Sequence, residues 1–84
     1  MRLDKYLKVS RLIKRRTVAN EACDNERVTV NGRVARASYE VKTGDVIAIR
    51  FGQNTLCVEV LSVADNVNKD GAAAMYREVS PSAE

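Results

Sequence analysis

Seven basic side chains crowd the start of the chain: Arg2, Lys5, Lys8, Arg11, Lys14, Arg15 and Arg16, with Asp4 as the single acid among them. The chemistry open to such a set is anion binding. Ammonium groups act as point charges toward phosphate, and each guanidinium adds a two-pronged fork that matches phosphate oxygens. Residues 1–16 carry a net charge of +6 and residues 17–84 carry −3, for +3 overall. Segregation of this kind points to a polyanionic partner at one end of the chain.

Other chemistry is poorly served. The chain has no histidine, so the commonest general base and metal ligand is missing. Cys23 and Cys57 lack a CxxC spacing and cannot make a zinc site alone. Their neighbours are apolar, which reads as two reduced, buried side chains dispensable for binding. Asp45 and Asp65 are the nearest acidic candidates for catalysis, and a turn residue and a solvated loop residue explain them better. No nucleophile–base pair accompanies either. No cofactor and no metal are expected. Met1 is followed by charged residues, and no apolar run is long enough to span a bilayer, so a cytoplasmic setting with reduced thiols is expected.

The elements that must position the cations follow from periodicity. Leu3, Tyr6 and Leu7 fall at i, i+3 and i+4, which predicts a first helix over Leu3–Val9. Asp4 lies in its first turn, where a carboxylate suits the helix dipole; orienting a nearby arginine is the other role open to it. Residues 10–14 form a basic elbow with Leu12 and Ile13 turned inward. A second helix runs from about Arg15 to Asp24, with Val18, Ala19, Ala22 and Cys23 on one face. Its start is oddly charged, because Lys14, Arg15 and Arg16 sit where the dipole disfavours cations. A bound phosphate would offset that repulsion. A local rule broken without compensation marks a functional site. Arg16 is the foremost candidate: it lies at the edge of the apolar face beside Asn20, and its guanidinium is expected to reach outward without stabilising the fold.

Beyond the helices, Val28–Val30 alternates as a strand and Asn31-Gly32 is a strong hairpin signal. A brief return strand over 33–35, an extended stretch over 38–41 and a Gly44-Asp45 turn follow. Strands are expected over Val46–Phe51 and 55–61. Residues 65–70 read as a polar linker, and Asp70 is placed to cap a short helix over 72–76. Met75 and Tyr76 are expected to dock, and the residues around Pro81 to be disordered. The division is a domain over 1–64 and a linker with a short C-terminal helix or tail over 65–84.

With these elements in place, the sequence resembles the small RNA-binding domain named after the fourth protein of the small ribosomal subunit, the S-four domain. The matching residues are Arg2-Leu3-Asp4 with Leu7, then Arg11, Arg16 and Ala19. Val28-Thr29-Val30-Asn31-Gly32 and Val41-Lys42-Thr43-Gly44-Asp45-Val46-Ile47 complete the match, over roughly residues 1–50. The whole chain, including Phe51-Gly52-Gln53 and Ala73-Ala74-Met75-Tyr76, is similar to a stand-alone bacterial branch acting in ribosome-associated quality control. The heat-shock-protein-fifteen-like family shares Arg2-Leu3-Asp4-Lys5, Lys14 and Arg16. One departure is the turn before the first strand, where Asn25-Glu26 replaces a usual glycine and Asn is expected to take the left-handed conformation.

The resemblance implies an α+β fold, with two N-terminal helices on a small, strongly bent antiparallel sheet. It also implies a non-enzymatic, monomeric factor that binds stalled large ribosomal subunits. Its partners would be large-subunit ribosomal RNA, peptidyl-tRNA and a protein that extends the stalled chain with alanine. Arg2, Asp4, Lys5, Lys8, Arg11, Lys14, Arg15 and Arg16 would form the RNA-binding set. Three competing readings are a general heat-shock-type recycling or assembly factor, a basic membrane-surface module and an RNA-modifying enzyme. Against the second stand the shortness of the helices and the absence of Trp or Phe from their apolar faces. Against the third stands the short chain left after the motif.

Overall fold

The computed structural model describes residues 1–63 and 69–79. Two short helices, α1 (Leu3–Val9) and α2 (Arg16–Asp24), open the chain. They are followed by β1 (Val28–Val30), β2 (Arg33–Val34), β3 (Val46–Phe51), β4 (Asn54–Val60), α3 (Lys69–Ala73) and β5 (Tyr76–Val79). The strands form one antiparallel sheet in the order β2-β1-β3-β4-β5. This is the expected α+β architecture. Of the linker expected over 65–70, residues 65–68, Asp65 among them, lie outside the described residues, as do the residues around Pro81, while Lys69 and Asp70 belong to α3.

Alternation decides which face of the sheet the helices cover. Val28 and Val30 pair with Ile49 and Ile47, and these pair with Leu56 and Val58. Side chains at paired positions share a face, so these residues make one apolar layer. Leu3, Tyr6 and Leu7 of α1 and Ala19 and Cys23 of α2 are buried in the same cluster. Helices this short are marginal alone; burial of these faces is what keeps them folded. Ile13 is buried in the elbow as expected, with Leu12 half-buried beside it. Cys23 and Cys57 are buried free thiols, also as expected.

The two halves of the hairpin signature lock onto each other. Asn31 and Gly32 both have positive φ (54° and 84°), as the tight turn requires. The Asn31 side chain then does further work: its Oδ1 accepts the Val46 N–H (3.0 Å), while its Nδ2 donates to Asp45 (3.1 Å). Asp45 also accepts from the Tyr39 hydroxyl (3.1 Å) and the Lys42 N–H (3.0 Å). The Asn-Gly and Gly-Asp pairs, distant in sequence, therefore close one corner.

Three local expectations are corrected. Glu26 (φ 61°), and not Asn25 (φ −89°), takes the left-handed conformation. The Glu26 N–H donates to the Cys23 carbonyl and the Arg27 N–H to the Ala22 carbonyl. This is a Schellman closure with Glu at the usual glycine position. The short helix lies at Lys69–Ala73 instead of 72–76, with Asp70 inside its first turn. Residues Tyr76–Val79 form a strand, because the free edge of β4 supplies hydrogen-bond partners that a frayed helix would lack. Met75 is buried in the core, and its carbonyl accepts the Tyr6 hydroxyl (2.8 Å), which pins the tail to α1.

Candidate nucleic-acid interface

Asp4 is the centre of the charged face. It sits near the start of α1, and its side chain is only 3 % exposed although it is a carboxylate. Four donors satisfy it. Arg2 Nε reaches Oδ1 at 3.2 Å, Asn20 Nδ2 reaches Oδ2 at 3.3 Å, and the Lys5 N–H reaches Oδ1 at 2.8 Å. Arg16 approaches both oxygens, Nε to Oδ2 at 3.3 Å and a terminal nitrogen to Oδ1 at 3.5 Å. Burial by itself raises the Asp4 pKa, but the bonds from Arg16, Arg2, Asn20 and Lys5 outweigh it and hold the carboxyl below its ordinary value. Asp4 is thus an ion at neutral pH. Asp4 fills both roles open to it: it stands in the first turn of α1 and it holds two arginines.

The arginines keep half of their surface outward, 53 % for Arg2 and 48 % for Arg16. Two guanidiniums around one carboxylate leave a charge of +1, and each guanidinium has N–H donors beyond those that Asp4 accepts. The outward reach expected for Arg16 is corrected in part. Its guanidinium is folded back onto Asp4, so Arg16 contributes to the fold as well as to the surface. Asn20, one helical turn beyond Arg16, belongs to the same cluster; sequence reasoning noted its position but assigned it no role. Its i, i+4 spacing from Arg16 was the available signal.

The other residues of the expected set are distributed around this centre. Lys5 is half-buried, and its main chain belongs to the Asp4 cluster. Lys8 is exposed in the last turn of α1, where a cation suits the helix dipole. Arg11 is exposed with φ 64°, and its N–H closes the end of α1 on the Lys8 carbonyl. A left-handed arginine is strained relative to glycine by about 1–2 kcal/mol. Lys14 and Arg15 are exposed on the approach to α2. Arg15 stands at the N-cap in an extended conformation, and no side chain caps the helix. The first turn of α2 thus lacks a cap from the Arg15 side chain and carries Arg15 and Arg16 beside its amides, an arrangement that suits a phosphate.

Cys23 packs below this cluster, and its thiol is pushed up to about 11 by burial and then by the charges of Asp4 and Asp24. It is a buried thiol of low reactivity. Among the described residues no group of His, Cys, Asp or Glu is placed to hold a metal ion. None of the described helices is long and apolar enough to cross a membrane.

Comparison with known proteins bears on the same face. Residues 1–47 match the S4 domain. The chain is 57 % identical over 76 residues to the RQC P-site tRNA stabilizing factor of Halalkalibacterium halodurans, covering 90 % of this chain and 86 % of that one. It is 54 % identical over 80 residues to the factor of the same name from Streptococcus pneumoniae, covering 95 % and 91 %. Its fold is similar to that of the trimeric Heat Shock Protein 15 of Vibrio cholerae, with a TM-score of 0.88 and 30 % identity over 98 % of this chain and 84 % of that one.

Proposed function

Because this chain belongs to the S4 domain family, and within it to the RQC P-site tRNA stabilizing factors, we propose that it is an RNA-binding factor that holds tRNA in the P site of a large ribosomal subunit. The observation that carries this reading is the Arg2–Asp4–Arg16 cluster. A buried carboxylate fixes two half-exposed guanidiniums, so their remaining donors face solvent in a set geometry and little order is lost when phosphate binds. Around them Lys5, Lys8, Arg11, Lys14 and Arg15 supply the longer-range attraction. Affinity is then electrostatic and salt-dependent, and selectivity comes from the shape of folded RNA and not from reading base sequence.

In this reading the protein acts by binding and not by catalysis, as a monomer in the cytoplasm. The elbow touches both large-subunit ribosomal RNA and a peptidyl-tRNA, and it supports a partner that extends the stalled peptide with alanine. Sedimentation of the protein with purified large subunits, with and without peptidyl-tRNA in the P site, tests it. Tighter binding to the tRNA-carrying subunits is expected, with loss of that binding in an Arg2→Ala/Arg16→Ala variant. Equal binding of both proteins to both kinds of subunit would overturn it.

A further inference from the structure

The cations of the first two helices do not exhaust the positive surface. Arg33 lies on the edge strand β2, and Arg36 follows it in the connection toward β3. Ala35 and Ala37 are buried, so the chain between them turns Arg36 outward, as it does Ser38 after them. The same connection is clamped to the start of α1: the Leu3 N–H donates to the Tyr39 carbonyl (2.8 Å) and the Asp4 N–H to the Ala37 carbonyl (3.1 Å). Arg36 is therefore held at a fixed position relative to Arg2.

Two open grooves meet here. One is lined by Arg33, Arg36, Val34, Ala35 and Tyr39 among others, and its lining contains no acidic residue. The other shares Arg36, Val34 and Ala35 with it and continues to Arg2 and Asn20, with Asp24 and Glu26 also in its lining. Among the described residues neither Arg33 nor Arg36 takes part in an ion pair or a side-chain hydrogen bond. Both are exposed. Among the described residues neither therefore has an acidic partner. Beside them Val34 is 56 % exposed, more than the other large exposed aliphatic residues described. The first groove thus offers two cations beside the exposed Val34, with Asn31, Ser38 and Tyr39 also in its lining. A sugar–phosphate strand matches it, with phosphates on the arginines and ribose against Val34.

We infer that the β1–β2 hairpin groove is a second RNA-binding strip, joined to the Asp4 cluster through Arg2, so that one folded RNA contacts both. The inference rests on the RNA-binding reading above and extends it to Arg33 and Arg36. An acidic segment of a protein pairing with the β2 edge is the competing occupant; continuity with the arginines of the elbow favours RNA.

The test is a salt series of dissociation constants for purified large ribosomal subunits, using the full chain. Arg33→Gln/Arg36→Gln should bind about tenfold more weakly, and its slope of log affinity against log salt should fall by about 1.4–1.8 for two lost phosphate contacts. Arg33→Lys/Arg36→Lys should recover the slope, and both variants should melt with the wild type. Unchanged affinity and slope in the Gln variant, alongside weakened binding by Arg16→Ala, would overturn this inference alone. Normal subunit binding by the Gln variant with loss of a protein partner would overturn it in favour of a protein surface. Failure of the wild type to bind subunits at all would overturn both readings together.

Discussion

Asp4 and Asp45 each gather several donors, and the two networks differ in what they leave over. Asp45 accepts from the Asn31 amide, the Tyr39 hydroxyl and the Lys42 main chain, all neutral groups. The Tyr39 pKa is raised by burial, by its bond to Asp45 and by the charge of Asp45, so the hydroxyl stays a neutral donor. This network ties the hairpin to the turn before β3 and presents no cation. Asp4 accepts from two arginines that remain half exposed. Its network ends in positive charge directed at solvent. One carboxylate closes a corner of the fold; the other aims cations. The contrast shows that an acidic residue at a structural junction is understood from its donors and not from its own burial.

Removing each carboxylate should expose that difference. Asp45→Ala deletes three hydrogen bonds to an ionised acceptor and should cost about 2–3 kcal/mol of stability. Its RNA affinity, measured where the variant is folded, should change by less than about twofold. A large affinity loss with stability intact would break the comparison. Asp4→Asn keeps the shape and should cost less, about 1–2 kcal/mol, yet weaken RNA binding roughly three- to tenfold because Arg2 and Arg16 lose their holder. Its sign with pH follows from the lowered pKa of Asp4. An unfolded aspartate titrates near ~3.9. The ionised Asp4 thus stabilises the fold above that value, and the contribution is lost as pH falls below it through the folded pKa. Urea melts of Asp4→Asn should show a flatter decline below about pH 4 than those of the wild type; parallel curves would remove Asp4 from the acid response.

Two smaller effects sharpen the boundary between fold and surface. Tyr6→Phe removes the bond to the Met75 carbonyl and should cost about 1 kcal/mol, with RNA affinity unchanged. Hydrogen exchange should localise the loss to β5. Arg11→Gly relieves a left-handed arginine, and the gain is partly offset by the freer unfolded chain, for a net stabilisation of about 0.5 kcal/mol. RNA affinity should still fall severalfold. Tighter melting without weaker binding would show that Arg11 is only a poor turn residue.

Much of this frame was legible before any coordinates. The i, i+3, i+4 pattern of Leu3, Tyr6 and Leu7 defined α1, and the alternation of Val28–Val30 with Asn31-Gly32 defined the hairpin, because each signal is local. Tyr76–Val79 was not legible as a strand: four alternating residues after an alanine run are ambiguous, and their stabilisation comes from the edge of β4. Glu26 was missed for a related reason, since the closing geometry of α2 chose the residue and not its intrinsic tolerance of positive φ. Periodicity located the charged elbow but could not locate its centre. The contact between Arg16 and Asp4 depends on how two helices pack, so the role of Asp4 stayed open and Arg16 was read as purely outward.

The central claim is that the guanidiniums held by Asp4 bind RNA phosphate, and Arg16 tests it most directly. Dissociation constants for large ribosomal subunits and melting temperatures should be measured together for wild type, Arg16→Ala and Arg16→Lys. Loss of a charge-assisted phosphate contact is worth roughly 1.5–3 kcal/mol, so Arg16→Ala should bind about tenfold to over a hundredfold more weakly. Its salt slope should fall by about 0.7–0.9, while the lost half-exposed ion pair lowers stability by no more than about 1 kcal/mol. Arg16→Lys should recover only part of the affinity, because it cannot hold Asp4 and fork a phosphate at once. Wild-type affinity and an unchanged salt slope in Arg16→Ala at physiological salt would contradict the account.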